Sequence, residues 1–436
     1  MNAPSQSIGH GGIVRDSAYA WYVAGVLAIC QTVSFIDRQL ISLLIGPIKA
    51  DYGLSDTSVS LLIGVAFTII HILLAIPLGR IIDRGHRRTM ILVCGIAWSL
   101  SSMLGGLAHS YAGLFVSRMG VGAAEAGIYP ACAALIAAYF SPAKLPRAMS
   151  ISLLGPFVGS GFALIFGGMV IGAFERIGHV TVPIAGLLKP WQMTLAVISA
   201  AGILPILLVL TVREPKPETS HGAPAQPVPF SEALAFLRER RGFYGIFYPA
   251  ITCHVMAIYA VPAWAPSLLI RRFGLDTAQA GVRFGVVALV AGVSGMLAGP
   301  WLARLLGWRD PAAGPVRGMR IAVLLTALLA MMLPLPASSG QALALLAAII
   351  FTTTLPMPLA SAVLMGASPD RLRGFIGAIY FVLASLVGLA IAPTLVGLAT
   401  DHLFHDPRAV GSSMALVLGL GGMMSFLLML RLPVRR

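Results

Sequence analysis

Thr57-Ser58-Val59-Ser60-Leu61-Leu62-Ile63-Gly64-Val65-Ala66-Phe67-Thr68-Ile69-Ile70-His71-Ile72-Leu73-Leu74-Ala75-Ile76-Pro77-Leu78-Gly79 carries no formal charge, and Arg80-Ile81-Ile82-Asp83-Arg84-Gly85-His86-Arg87-Arg88 follows it directly. A helix needs about 20 mostly apolar residues to cross the hydrocarbon of a bilayer. The first piece has that length. The second is a basic loop of the kind retained on the cytoplasmic side. Outward from this pair, twelve such apolar runs can be drawn: 20–48, 57–79, 89–108, 111–139, 147–174, 190–212, 243–270, 280–303, 320–337, 340–366, 374–400 and 410–432. Lipid leaves only helices or closed barrels as spanning structures, and these runs are too long and too evenly apolar for barrel strands. The expected fold class is an all-α integral membrane protein with twelve transmembrane helices.

Composition agrees with that expectation. Only 11% of the 436 residues are charged, against about a quarter in a soluble protein. The net charge of +14 does not point to nucleic acid, because the basic clusters lie between apolar runs and not along one face. Cys30, Cys94, Cys132 and Cys253 sit singly in apolar runs, without CxxC or CxxH spacing. Neither a disulfide framework nor a metal finger is expected, and no cofactor is implied. With the N-terminus inside, the tails and inner loops, with the span ends beside them, hold 21 of the 30 lysines and arginines, the outer loops with theirs hold 7, and Arg38 and Arg118 fall within spans. That orientation places both termini in the cytoplasm, and an even number of spans agrees with it.

The division expected along the chain is a cytoplasmic tail at 1–19, a six-helix bundle at 20–212, a cytoplasmic linker at 213–242, a second six-helix bundle at 243–432 and a short tail at 433–436. The first residues lack the apolar core and cleavage site of a signal peptide, and a disordered tail is expected there. The linker contains Ala223-Pro224-Ala225-Gln226-Pro227-Val228-Pro229, then Phe230, Leu234 and Leu237 at helical spacing. The latter read as a short amphipathic helix on the inner membrane surface. Ser141-Pro142-Ala143-Lys144-Leu145 and Ser368-Pro369-Asp370-Arg371-Leu372 form a weak internal repeat with an offset of 227 residues. Parallel halves of this kind are a known transporter plan.

Of the 16 acidic residues, only Asp37 and Glu125 lie well inside spans. A charge at that depth costs roughly 2.5–3.5 kcal/mol on insertion scales and needs a cavity or a partner. Arg118 lies two helical turns before Glu125, about 10 Å away along one face.

Several stretches resemble the major facilitator superfamily. Gly79-Arg80-Ile81-Ile82-Asp83-Arg84-Gly85-His86-Arg87-Arg88 is similar to its loop signature, with His86 where the signature has Gly and Gly85 one place early. Gly155-Pro156-Phe157-Val158-Gly159-Ser160-Gly161 resembles the Gly-Pro motif of its exchangers. Phe35-Ile36-Asp37-Arg38-Gln39 with Pro47-Ile48-Lys49-Ala50-Asp51, Arg118-Met119-Gly120-Val121-Gly122-Ala123-Ala124-Glu125-Ala126 and Arg213-Glu214-Pro215 resemble bacterial Spinster-type lipid transporters. The Arg118–Glu125 stretch is partly shared with anion–cation symporters of the same superfamily.

The resemblance implies two pseudo-symmetric six-helix bundles and alternating access. It also implies that the first and fourth helices adjoin, bringing Asp37 to Arg118. A carboxylate binds its proton more tightly in apolar surroundings and less tightly beside a guanidinium. Asp37, Arg118 and Glu125 are therefore expected to couple protons to cargo. The plainer alternative is a fixed Asp37–Arg118 pair that orders the bundle. Asp83, with Arg84, Arg87, Arg88 and Arg373, is expected to form an inner gate, Asp83 facing the start of the eleventh helix; the alternative is a topology signal alone.

At the 227-residue offset the second half offers Trp264, Leu345 and Thr352 in place of the three charges. Arg38, Met256, Tyr259, Trp264 and Met357 are cavity candidates, and the apolar ones serve equally as ordinary packing. The Spinster resemblance implies an amphiphilic lysolipid or sphingolipid-like cargo. A small organic anion moved with protons, or uniport, are the alternatives. Gly155, Pro156, Gly159 and Gly161 read either as a hinge or as a close helix contact. His71 and His254 read as pH sensors or as packing residues. Asp401-His402-Leu403-Phe404-His405-Asp406 has ligand-type residues but no distant mates, so no metal site is expected. The partners expected are the bilayer, a small amphiphile or organic anion, and protons, with no nucleic acid, and a monomer is expected. Enzyme chemistry is not expected, since GxSxG and HExxH are absent.

Overall fold

Among the described residues, twelve helices long and apolar enough to cross a membrane follow one another along the chain. The computed structural model describes residues 8–9, 13–14, 16–141, 143–183, 186–214, 230–308, 310 and 313–432. The spanning helices are α1 Ala18–Leu43, α2 Asp56–Ile82, α3 Arg87–Gly106, α4 Tyr111–Tyr139, α5 Leu145–Ile177, α6 Pro190–Thr211, α7 Arg241–Phe273, α8 Thr277–Leu306, α9 Gly314–Met331, α10 Ser339–Gly366, α11 Arg373–Phe404 and α12 Pro407–Leu430. Side-chain caps hold several of the starts. Ser110 Oγ accepts from Gly113 N at 3.1 Å, and an Asp276 carboxylate oxygen accepts from Gln279 N at 2.6 Å. Each satisfies an amide that has no partner within its helix.

Two spans depart from the expected bounds by five residues or more, and proline explains both. The first helix stops at Leu43, not 48, and Ile45–Tyr52 forms a separate helix. Pro47 lacks an N–H, and its ring would clash with the carbonyl four residues back, at Leu43. The ninth span, expected at 320–337, runs Gly314–Met331. Pro315 suits its first turn, while Pro334 and Pro336 cannot continue it.

The expected tail is partly ordered. Ile8–Gly9 pairs antiparallel with Ile13–Val14. Asp16 then accepts from Ser141 N at 3.0 Å and Ser141 Oγ at 2.7 Å, which ties the chain to the start of the α4–α5 loop. The Pro-rich piece at 223–229 and the last residues, 433–436, lie outside the described residues. Phe230–Glu239 is helical as expected, but its apolar side does not simply lie on a membrane surface. Ala233 is buried in the same cluster as Tyr244, Phe247 and Leu372, with Phe236 and Leu237 packed against it.

The chain forms two compact units, 1–41 with 66–224, and 42–65 with 225–436. The expected division put 42–65 with the first six helices. In the first unit, α3 packs against α4 and α6, and α2 against α4. In the second, α12 packs along α7 and α9, and α8 along α10. The start of α2 joins this second unit because its backbone meets α11 there. Gly64 lies so close that a Cβ would meet Leu389 O and Ala390 Cα. Both sides of that crossing are π-helical turns, Leu61–Val65 and Ser385–Ile391.

Candidate functional site

α1 and α4 carry the charged centre of the first unit. Asp37 and Arg118 are each 1% exposed, and Arg118 Nη1 stands 3.3 Å from Asp37 Oδ2. Ser102 Oγ on α3 and Ser199 Oγ on α6 donate to Asp37 Oδ1 at 2.5 and 2.6 Å, and Ser199 Oγ also lies 2.9 Å from Ser102 Oγ. Asp37 is thus held by three helices besides its own. The two serines do not stand out in the sequence. A serine in an apolar helix more often bonds its own preceding turn, and nothing in its spacing marks the exception.

Glu125 does not share Arg118. Its Oε2 pairs with Arg38, the residue next to Asp37. Arg38 points about 100° around α1 from Asp37, and lies over the rings of Phe35 and Phe67 at 4.6 and 4.3 Å. The expected triad of Asp37, Arg118 and Glu125 is therefore two pairs, Asp37–Arg118 and Glu125–Arg38. Each pair keeps spare polar capacity. Arg118 Nε and Nη2, Glu125 Oε1 and Arg38 Nε are buried and have no hydrogen-bond partner among the described residues. Buried polar atoms are normally satisfied, at about 1–3 kcal/mol for each that is not.

His71 stacks on Phe67 and lies 3.2 Å from Gly122 O through Nδ1. His254 lies 2.9 Å from Thr353 O through Nε2. Both are bonded within their bundles.

The cavity candidates of the second unit divide. Trp264 is fully buried, and its Nε1 donates to Pro393 O at 3.0 Å, so it is a core residue and not a cavity wall. Met256 lies against Gly421 of α12. Tyr259 packs on Gly388 of α11, and Met357 is half-buried. Gly155 and Gly159 bring α5 onto α1. A Cβ at Gly155 would meet Gln31 Cβ and Thr32 N at 3.2 Å, and one at Gly159 would meet Phe35 Cβ at 2.9 Å. α5 runs unbroken through them and through Gly161. The side chain of Pro156 lies outside the described residues.

In the loop after α2, Gly85 has φ 93°. This left-handed turn is one glycine can make freely. The early glycine therefore makes the turn, and His86 needs no special backbone. The side chain of Asp83 lies outside the described residues. Arg84 is exposed, and Arg373 Nε donates to Met365 O at 3.1 Å. Arg87 and Arg88 have a partner the sequence did not reveal: their backbone amides donate to Glu214 Oε1 and Oε2 at 2.7 and 3.0 Å. Glu214 follows α6 and caps α3, placing a carboxylate on the positive end of a helix. Replacing Glu214 by Ala is expected to cost about 1–2 kcal/mol, read as a lower unfolding midpoint in detergent.

A second charged cluster leaves no sign in the sequence. Asp56, at the start of α2, is 0% exposed. It accepts from Lys49 Nζ at 2.6 Å and, in a bidentate pair, from Arg271 Nη1 and Nη2 at 2.7 and 2.8 Å. Asp401 of α11 covers the same helix start. Its Oδ1 accepts from Asp56 N at 3.1 Å, and its Oδ2 accepts from Thr57 N and Oγ1, both at 2.7 Å. Asp401 thus works as a helix cap from a distant segment. No group of metal-ligating residues is found among the described residues.

The sequence pattern described as Major Facilitator Superfamily matches residues 27–393. An MFS-type efflux pump of Mycolicibacterium smegmatis is 28% identical over 428 residues, covering 96% of this chain and 93% of that one. Protein spinster of Drosophila melanogaster is 24% identical over 305 residues, covering 68% of this chain and 48% of that protein, so the match spans about half its length. Among solved structures, a bacterial homologue of the human lysosomal transporter Spinster, inward-facing and unoccupied, superposes with a TM-score of 0.76 at 23% identity, covering 96% of this chain and 95% of that one.

Proposed function

The chain belongs to the Major Facilitator Superfamily, and from that membership we propose that it is a proton-coupled secondary transporter moving an amphiphilic, lysolipid- or sphingolipid-like molecule by alternating access. Membership makes it a multi-pass membrane transporter and not an enzyme. The coupling and the cargo are our reading.

One observation carries it: a buried carboxylate, Asp37, shares its site with a buried guanidinium that has two unpartnered N–H donors. Protonating Asp37 releases Arg118 from its only ion pair among the described residues. A released Arg118 can take an anionic headgroup through a bidentate contact. Proton and cargo are then linked through one arginine. Glu125 and Arg38 offer a second exchange of the same kind.

The cargo class rests on the likeness to Spinster proteins. Outward transport agrees with the named activity of the mycobacterial relative. The distribution of lysine and arginine supports a plasma-membrane protein with cytoplasmic termini. The loop from Asp83 to Arg88 is assigned to the inner gate, and Glu214 ties the start of α3, where that loop ends, to the end of α6.

The test uses purified protein in vesicles with a pH dye inside. Lysophospholipid added to the wild type should produce a cargo-dependent pH change, and Glu125→Gln should reduce it strongly. A pH change with small organic anions and none with lysolipid would replace the cargo class. Cargo movement without any pH change would make the protein a uniporter.

A further inference from the structure

Within the second unit, α7, α11 and α12 enclose an apolar groove of about 1370 Å³. Tyr248 and Met256 form its floor on α7, Val387 and Leu395 one wall on α11, and Leu420 and Met424 the other on α12. α11 packs on α12 through Ala392–Phe404, and the two part toward Arg373. The groove is therefore closed near His402 and open toward the Phe230–Glu239 helix. Its α11 wall, from Ile379 to Leu398, is about 28 Å long at 1.5 Å per residue, close to the ~30 Å of a bilayer's hydrocarbon. Leu420 and Met424 are 66% and 53% exposed, so the groove opens along the outer side of α12.

Among the described residues its charged lining residues are Arg238 and Arg241, both at the end beside the Phe230–Glu239 helix. Both are exposed, and neither has a hydrogen-bond or ion-pair partner among the described residues. An apolar channel with two exposed guanidiniums at one end has the polarity of an anionic lipid, and is long enough for a whole acyl chain. We propose that this groove is a phospholipid site, taking an acyl chain of an anionic glycerophospholipid from the surrounding leaflet with its phosphate on Arg238 and Arg241. The apolar walls select a long alkyl chain, and two adjacent guanidiniums select a phosphate over a neutral headgroup. The site uses neither Asp37 nor Arg118, and does not depend on proton coupling.

The test is photolabelling of the full chain in phosphatidylcholine vesicles containing phosphatidylglycerol with a photoactivatable acyl chain. Adducts should concentrate on Leu395, Leu420 and Met424. Unlabelled phosphatidylglycerol should compete, and extra phosphatidylcholine should not. The pair Arg238→Ala and Arg241→Ala together should lower groove labelling roughly tenfold, since each juxtamembrane basic residue attracts anionic lipid appreciably. Both side chains are exposed, so this variant keeps the fold. Leu420→Trp, which fills the groove and leaves the arginines, should lower labelling as well. Adducts spread evenly over the lipid-facing residues of all twelve helices would overturn the proposal, as would labelling unchanged in the arginine variant. Loss of labelling together with cross-linked dimers would assign the groove to a second copy of the chain instead. A failure here would leave the pH-dye result untouched, so the two readings fail separately.

Discussion

Replacing Asp37 by Asn is expected to abolish cargo-driven proton movement and to lower stability by about 3–5 kcal/mol. Both effects follow from one residue because Arg118 is 1% exposed and has its ion pair with Asp37. Without the carboxylate its charge is buried and uncompensated, and the Asn amide cannot supply a counter-charge. Loss of transport in this variant alone would therefore not separate a proton carrier from a structural pair. A second variant separates them. Asp37→Leu combined with Arg118→Leu removes both charges, and such replacements are often neutral or stabilising. It should recover most of the unfolding midpoint and none of the transport. Proton-driven flux that survives in Asp37→Asn would remove Asp37 as a carrier, and transport recovered in the double variant would make the pair purely architectural.

The twelve spans were legible because lipid allows so few solutions: run length and the absence of charge suffice. Asp37 and Arg118 were legible for the same reason, since a charge in an apolar run needs a partner and few were available. The assignment of Glu125 to Arg38 was not. Pattern along one helix gives the direction of a side chain, but not which neighbouring helix lies there. Arg38 points away from Asp37, and that direction brings it to Glu125 and Phe67. Trp264 is hidden on similar grounds. Its place at the repeat offset suggests a cavity wall, but its indole N–H is used by the buried carbonyl of Pro393 on α11, 129 residues away. Ser102 and Ser199 leave no trace at all, since hydroxyls in apolar helices are common and mostly bond locally.

Asp56 is hidden in a different way. Read along the chain, Ser55-Asp56-Thr57 is an ordinary helix start at the end of a loop, and Ser55 Oγ does accept from Ser58 N at 3.1 Å. The partners that give Asp56 its role are Arg271 and Asp401, each more than 200 residues away. The same contacts explain why 42–65 leaves the first six helices. Gly397 supports the arrangement, because a Cβ there would meet Asp56 O at 2.8 Å. Lys49, seven residues back, is a mate the sequence places nearby, but the bidentate partner Arg271 lies 215 residues on, and only the fold brings the two cations together on Asp56.

Asp56→Asn is accordingly expected to open this end of α2, raising the labelling rate of a cysteine placed at Ser60 by roughly tenfold or more, since breaking one buried pair costs a few kcal/mol and each 1.4 kcal/mol is tenfold in a population. Ser60 is 0% exposed, so Ser60→Cys reacts with a maleimide only when α2 parts from α11. The four natural cysteines are all buried and keep the background low. The amide introduced by the substitution would still carry hydrogen bonds, but Lys49 and Arg271 would face each other without the charge that holds them. Lys49→Met should have a smaller effect, because the bidentate Arg271 pair survives it. High salt should not mimic Asp56→Asn, since a carboxylate at 0% exposure is poorly screened. An unchanged labelling rate in Asp56→Asn would mean that the close backbone contacts at Gly64 and Gly397 hold α2 to α11 alone, and that the ion pairs merely occupy the space between them.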